Sequence, residues 1–308
     1  MDAVIELEGL RKQYRRFRKA PTLAIDGLDL TVPAGGVFGF LGPNGAGKTT
    51  TLRCLLGLVR PSSGRVRLLG RESPGDLAAV MGRVGSIVEA PAMFPGMSGR
   101  RNLELLGALD GIGARRVDEV LELVGLGERG DDRVKGYSLG MRQRLGLGGA
   151  LLRDPELVIL DEPANGLDPA GIKEFRELLR RLGAEGRTVF VSSHLLAEVQ
   201  QVCDHVAIIG RGRLIASGPV DEVLHQGRAS GVFVRVPDGA LARAEDVLAA
   251  GGLAVAPEDG GLVVSVGEER AAEVTEVLAR SGIYLSELRP QAVDLETVFL
   301  ELTTEPTT

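Results

Sequence analysis

Along the first 228 residues, short apolar runs rich in Val, Ile, Leu and Phe alternate with stretches whose apolar positions recur every three to four residues. That alternation predicts a predominantly parallel sheet flanked by helices. The predicted strands are residues 4–7 (VIEL), 28–32 (LDLTV), 37–42 (VFGFLG), 65–70 (RVRLLG), 83–88 (RVGSIV), 156–161 (ELVILD) and 188–193 (TVFVSS). A last pair, 205–210 and 213–218, is separated only by Arg211 and Gly212 and reads as a hairpin; the first few strands also read as antiparallel. Residues 98–153 read mostly as helix, with Leu103, Leu105, Leu106, Leu109 and then Val117, Val120, Leu121, Val124 at helical spacing.

From about residue 229 the pattern becomes strand, helix, two strands around 258–261, helix and a strand at 283–288 (IYLSEL), which is the ferredoxin-like βαββαβ plan. A final helix, 295–302, and a polar tail follow. Charge changes at the same place: residues 229–308 carry 5 basic and 14 acidic side chains, whereas the chain as a whole has 36 and 42. The expectation is therefore two domains, 1–228 and 229–308, with a helical subdomain at about 90–153.

Composition excludes several classes. With 44% hydrophobic residues and 15 prolines in 308 the chain is too apolar to be disordered, and its 43 glycines follow no collagen period. No stretch approaches the eighteen apolar residues of a membrane span, and the start, MDAVIELEG, lacks a secretory signal, so a cytoplasmic protein is expected. Cys54 and Cys203 are too few for a disulfide framework and read as small hydrophobes. The net charge of −6 gives no broad nucleic-acid footprint.

The glycine excess has an address: six lie within residues 35–47. Gly42, Pro43, Asn44, Gly45, Ala46, Gly47, Lys48 and Thr49 fit the phosphate-loop pattern G-x-x-x-x-G-K-[ST], between the strand VFGFL and a helix that begins at Thr50 and Thr51. Glycines let backbone N–H groups curve around phosphate oxygens, and the helix adds its positive end. Lys48 would bridge the β and γ phosphates and the Thr49 hydroxyl would hold Mg²⁺. Downstream, LVILDE ends a buried strand with two carboxylates that face opposite ways. Asp161 is placed to anchor Mg²⁺ and Glu162 to act as general base toward water.

What lies between those motifs narrows the class. Tyr137, Ser138, Leu139, Gly140, Met141, Arg142, Gln143 and Arg144 resemble the signature motif of ATP-binding cassette (ABC) proteins, LSGGQ in its commonest form; Ser138 and Gly140 match, whereas Tyr137, Leu139 and Met141 depart. Asn165, Gly166, Leu167 and Asp168 look like that family's D-loop, His194 like its switch histidine, and Tyr14 like the aromatic that stacks on adenine. Glu89 stands where most of the family has a glutamine that senses Mg²⁺ and the attacking water. With YSLGMRQRLG downstream, it resembles the bacitracin-resistance and lantibiotic-immunity branch. The segment after the cassette, ending VDLETVFLELT, resembles the accessory region of drug-exporter ATPases.

The resemblance implies a P-loop NTPase of the ABC type, α/β, with a RecA-like core, an antiparallel β subdomain and a helical subdomain, followed by a small α+β domain. It also implies ATP and Mg²⁺ as ligands, and a head-to-tail dimer in which Ser138 to Met141 of one subunit cover the ATP of the other. A separate transmembrane permease would exploit the cycle to export a drug or peptide antibiotic, holding the chain at the inner face of the membrane. A non-transport ABC ATPase and a regulatory ATP-binding module are the rival readings.

Overall fold

The computed structural model describes residues 3–16, 19–88, 93–226, 231–237, 239–291, 295 and 299. The chain forms two compact units, 1–219 and 220–308. The first unit runs β1 (Ala3–Arg16), β2 (Lys19–Pro33), β3 (Gly36–Leu41), α1 (Lys48–Leu55), β4 (Ser63–Leu68), β5 (Arg71–Glu72) and β6 (Val84–Ile87). It continues α2 (Gly99–Ala108), α3 (Ala114–Leu123), α4 (Leu139–Leu151), β7 (Leu157–Asp161), α5 (Pro169–Ala184), β8 (Thr188–Ser193), α6 (Leu196–Gln200), β9 (His205–Gly210) and β10 (Arg213–Pro219).

Two sheets result. One is antiparallel, in the order β2-β1-β4-β5; the other has six strands, β10-β9-β3-β8-β7-β6, all parallel except β10 on its edge. Because successive strand residues face opposite ways, each central strand feeds two cores. Phe38, Phe40, Ile159, Phe190 and Ile209 pack toward the antiparallel sheet and α1, against Ile5, Leu7, Leu30, Val66, Leu52 and Leu55. Val37, Val158, Leu160, Val189 and Val191 pack the other way, against Leu145, Leu147 and Leu151 of α4 and Phe175, Leu179 and Leu182 of α5. Each such side chain contributes about 1.5–3 kcal/mol by leaving water.

Beyond the sheet, the region 98–153 resolves into three helices, because Gly111 and Gly125 take left-handed conformations that end them. Glycines inside α4 each cost about 1 kcal/mol relative to Ala, and packing explains two of them. A β-carbon on Gly148 would lie 3.2 Å from Val120 of α3, and one on Gly149 would lie 3.1 Å from Leu106 of α2. Gly85 of β6 is tighter: its β-carbon would sit 2.3 Å from the Ala150 carbonyl oxygen, so β6 lies directly against the α4 backbone.

β1 and β2 extend well past the predicted 4–7 and 28–32. Their outer parts form a charged hairpin, with Arg11, Gln13 and Arg15 exposed. Apolar alternation fades there, and bulges break the register between Leu7 and Leu10 and between Lys12 and Gln13.

The second unit contains α7 (Val220–Gln226), β11 (Gly231–Arg235), α8 (Leu241–Ala250), β12 (Val255–Glu258), β13 (Gly261–Val264), α9 (Ala271–Arg280) and β14 (Glu287–Gln291). After α7 the element order is βαββαβ, and the sheet, β12-β13-β11-β14, is antiparallel throughout. Val232, Val234, Leu262 and Val264 meet Ala244, Leu248, Val274 and Leu278 in its core. The last strand begins later than the predicted residue 283. Ile283 instead closes α9: its amide donates to the Leu278 carbonyl at 3.0 Å behind left-handed Gly282, and its side chain is buried. The predicted helix 295–302 lies almost wholly outside the described residues.

Candidate active site

The phosphate loop leaves the carboxyl end of β3 under steric rules that only glycine satisfies. A β-carbon on Gly42 would lie 2.4 Å from the Ile209 carbonyl oxygen, and one on Gly47 2.5 Å from that of Ala24. Gly45 (φ +83°) and Gly47 (φ +110°) are left-handed. Pro43, Asn44 and Gly45 stay exposed, Ala46 is buried, and Thr49 and Thr50 are half-buried at the start of α1. Thr51 turns inward, its hydroxyl donating to the Gly47 carbonyl at 3.0 Å.

Lys48 is only 6% exposed, so its ammonium must be satisfied from within. It donates to the carbonyls of Gly42 (2.6 Å) and Pro43 (3.3 Å) and lies 3.0 Å from Glu162 Oε1. Three donors meet three acceptors, the full capacity of an ammonium. The other carboxylate oxygen of Glu162 lies 2.7 Å from His194 Nδ1. A general-base candidate, its orienting imidazole and the phosphate-loop lysine are therefore in direct contact.

Strand register explains the convergence. β7 and β8 pair Asp161 with Ser192, and β3 and β8 pair Leu41 with Ser193, so all three strands end together. The Ser192 hydroxyl donates to Asp161 Oδ1 (2.5 Å) and accepts from the Glu162 amide (3.0 Å), holding two neighbouring carboxylates in separate directions. Glu162 itself has φ +48°, a left-handed conformation that costs an L residue about 1–2 kcal/mol. Strain of this kind concentrates at reacting groups. Sequence reading overlooked Ser192, although its place at the end of the strand TVFVSS, two residues before His194, was a usable signal.

The signature residues stand apart from this group. Ser138 caps α4, its hydroxyl accepting from the Met141 amide at 3.2 Å, and Asp168 caps α5 by accepting from Gly171 at 3.2 Å. Ser138 and Leu139 are exposed, Gly140 is half-buried, and half-buried Met141 packs against the core beneath α4 and α5. The Leu139 side chain comes within 3.1 Å of where a Gly166 β-carbon would be, so the segments around Leu139 and Gly166 meet there. No hydrogen bond or ion pair among the described residues joins Ser138 or Gly140 to Lys48, Glu162 or His194.

Tyr14 pairs with Thr22 on the outer hairpin, and the Lys12 ammonium sits 5.0 Å from its ring centroid. Two residues along β2 from Thr22, the Ala24 carbonyl abuts Gly47, which brings this hairpin alongside the phosphate loop. Glu89 lies outside the described residues. The cysteines are unreactive in character: burial pushes the Cys54 thiol up to about 11 and the Cys203 thiol higher still.

A groove of about 510 Å³ opens between β6 and helices α2 and α4, lined by Met81, Ile87, Val88, Met93, Leu106 and Leu109 among others. Leu109 is 86% exposed. No helix among the described residues is long and apolar enough to cross a membrane.

A family profile described as ABC transporter matches residues 25–165, and one described as a domain of unknown function matches residues 230–296. The bacitracin transport ATP-binding protein BcrA of Bacillus licheniformis is 44% identical over 74% of each chain, and that of Enterococcus faecalis 36% identical over 98% of this chain and 97% of its own. The daunorubicin resistance ATP-binding protein DrrA3 of Streptomyces coeruleorubidus is 37% identical over 98% of this chain and 96% of its own. Among solved structures, cbiO1 from Clostridium perfringens, part of the ABC transporter complex cbiONQ, superposes with TM-score 0.65 at 29% identity, covering 73% of this chain and 92% of that one. These likenesses, with the phosphate loop, its lysine and the carboxylate it meets, place the chain in the family of ABC transporter ATP-binding proteins, P-loop enzymes that bind and hydrolyse ATP.

Proposed function

We propose that this subunit drives export of a peptide antibiotic or a drug through a separate membrane permease, at the inner face of the cell membrane. Relatives named for bacitracin transport and daunorubicin resistance, alike over nearly the whole chain, support the cargo class. The observation that carries the chemistry is Glu162 held between Lys48 and His194.

In this reading the loop 42–49 binds the phosphates of ATP and Tyr14 stacks on its adenine. Glu162 removes a proton from the attacking water, and His194 fixes the carboxylate and the γ phosphate. Mg²⁺ fits the donors present. The Thr49 hydroxyl and the Asp161 carboxylate offer hard oxygen donors of the kind this cation takes beside phosphate and water. Thr49 and Asp161 would hold it, Asp161 already aimed by Ser192, with Glu89 as a further ligand and catalytic partner. Bound there, the cation would neutralise charge on the phosphates.

Two subunits, alike or different, would pair head to tail, exposed Ser138 and Leu139 facing the partner's ATP with Gly140 and Met141 behind them, and Asp168 beside them. The apolar groove at Leu106 and Leu109 would receive a helix of the permease. The test is resistance: the chain and its permease, produced together in a sensitive host, should raise tolerance to bacitracin or an anthracycline, and Glu162→Gln should abolish it. A host no more tolerant to either class with an active ATPase overturns the cargo assignment.

A further inference from the structure

The turn between β9 and β10 touches more of the nucleotide site than its two residues suggest. Arg211 (φ +50°) and Gly212 (φ +79°) make the tight hairpin, and Gly212 donates to the Ala46 carbonyl of the phosphate loop at 2.9 Å. The Gly212 carbonyl in turn accepts from the Asp26 amide on β2 at 2.9 Å. A β-carbon on Gly212 would lie 2.8 Å from the Ala24 carbonyl oxygen, so loop, turn and hairpin meet backbone to backbone with no side chain between them.

One ionised side chain ties this junction. Asp26 Oδ2 accepts from Arg213 Nε (2.9 Å) and Nη2 (2.6 Å), immediately after the turn, and Oδ1 lies 3.4 Å from Arg11 Nη2 on β1, three residues from Tyr14. The Arg213 guanidinium, with Arg11 beside it, holds the Asp26 carboxyl below the usual carboxylate range, so it is ionised wherever ATP is turned over. Asp26 is 18% exposed, whereas Arg213 and Arg11 are 71% and 53% exposed, so the carboxylate is the fixed centre and the arginines reach in to it.

We propose that Asp26 is a positioning residue that, through Arg213 and Arg11, fixes the Tyr14 hairpin relative to the phosphate loop and thereby sets affinity for the base end of the nucleotide. The proposal rests on Tyr14 as the adenine contact. The backbone bonds at Gly212 survive loss of the carboxylate, so the phosphate loop keeps its shape. What changes is the angle at which the hairpin presents its ring.

The test separates the two ends of the ligand by measuring dissociation constants of ATP and of inorganic tripolyphosphate for the full chain. Asp26→Asn should weaken ATP about tenfold, the scale of a lost charge-assisted pair, and leave tripolyphosphate within about twofold. Arg213→Gln, at an exposed position that does not threaten folding, should move ATP in the same direction, and Asp26→Glu should restore part of the loss. Equal weakening of both ligands overturns the proposal, since it signals general distortion of the site. ATP binding unchanged in both Asp26→Asn and Arg213→Gln, while Tyr14→Ala weakens it, also overturns the proposal and leaves the adenine contact standing. Tyr14→Ala without effect on ATP overturns the adenine reading itself.

Discussion

Replacing Glu162 by Gln removes one charge and keeps the shape, and the geometry gives two effects of opposite sign. In the proposed mechanism, hydrolysis loses its general base. Such a group contributes about 10²–10⁴-fold, so kcat should fall by that factor, equivalent to about 3–5 kcal/mol in the barrier. Binding should improve. All three protons of Lys48 are engaged, by Gly42, Pro43 and Glu162, so a phosphate oxygen must displace one acceptor. A hydrogen bond to a charged group contributes about 1 kcal/mol more than a neutral one, so a glutamine amide is the weaker competitor and ATP should bind about fivefold more tightly. Lys48 keeps its two carbonyl partners in the variant, so the loop should not collapse. The assay pairs phosphate release in the presence of the permease with a direct ATP titration, and chromatography with ATP should find the variant retained as a dimer. A kcat within tenfold of wild type would refute the general-base role. Unchanged or weaker ATP binding would refute the exchange at Lys48.

Other consequences are open to direct measurement. Gly85→Ala drives a methyl group to 2.3 Å from the Ala150 carbonyl and should cost at least about 1–3 kcal/mol in urea unfolding. Gly149→Ala meets only the end of the Leu106 side chain at 3.1 Å, and its gain in helix propensity should keep it within about 1 kcal/mol of wild type. Tyr137→Phe loses the bond from the phenol to the Arg129 carbonyl at 2.6 Å, and with it about 1 kcal/mol, or about 2–4 °C in melting temperature. The Arg187 guanidinium, with help from Arg116, holds Asp154 below the usual carboxylate range. Its stabilising effect is therefore complete above about pH 4 and lost as pH falls through the lower folded-state value. The difference in melting temperature between wild type and Asp154→Asn should be full at pH 6 and shrink as pH falls below about 4.

Much of this molecule is legible in one sequence because its central strands are buried on both faces. Residues 157–161 and 188–193 are continuous apolar runs with polar ends, and a run of that kind leaves little freedom in where its end falls. The phosphate loop is legible for a related reason: Gly42 and Gly47 are demanded by backbone approach within angstroms, so substitution is sterically barred. The outer hairpin is not legible, because Arg11, Gln13 and Arg15 face solvent and their extended conformation comes from pairing across β1 and β2. The late start of β14 was hidden because Ile283 is apolar and β-branched, which suits a strand as well as the cap of α9 that it forms. Least visible were contacts between distant segments. Asp26 and Arg213 are 187 positions apart, and neither lies in a motif. The Lys48–Glu162 contact joins two motifs, each recognisable alone, yet no spacing rule says that they touch.

The shared register of β3, β7 and β8 carries an implication for tolerance to mutation. The reacting groups sit at one end of the sheet, while Gly36 pairs with Thr188 and Leu157 with Thr188 at the other, where the Thr188 hydroxyl also accepts from the Gly35 amide at 2.8 Å. A slip of one residue there would shift Ser192 and His194 by about 3.3 Å and turn each to the opposite face. The far end of the sheet thus acts as an alignment gauge: Gly36 and Thr188, remote from the phosphate loop, help to set where Ser192 and His194 fall.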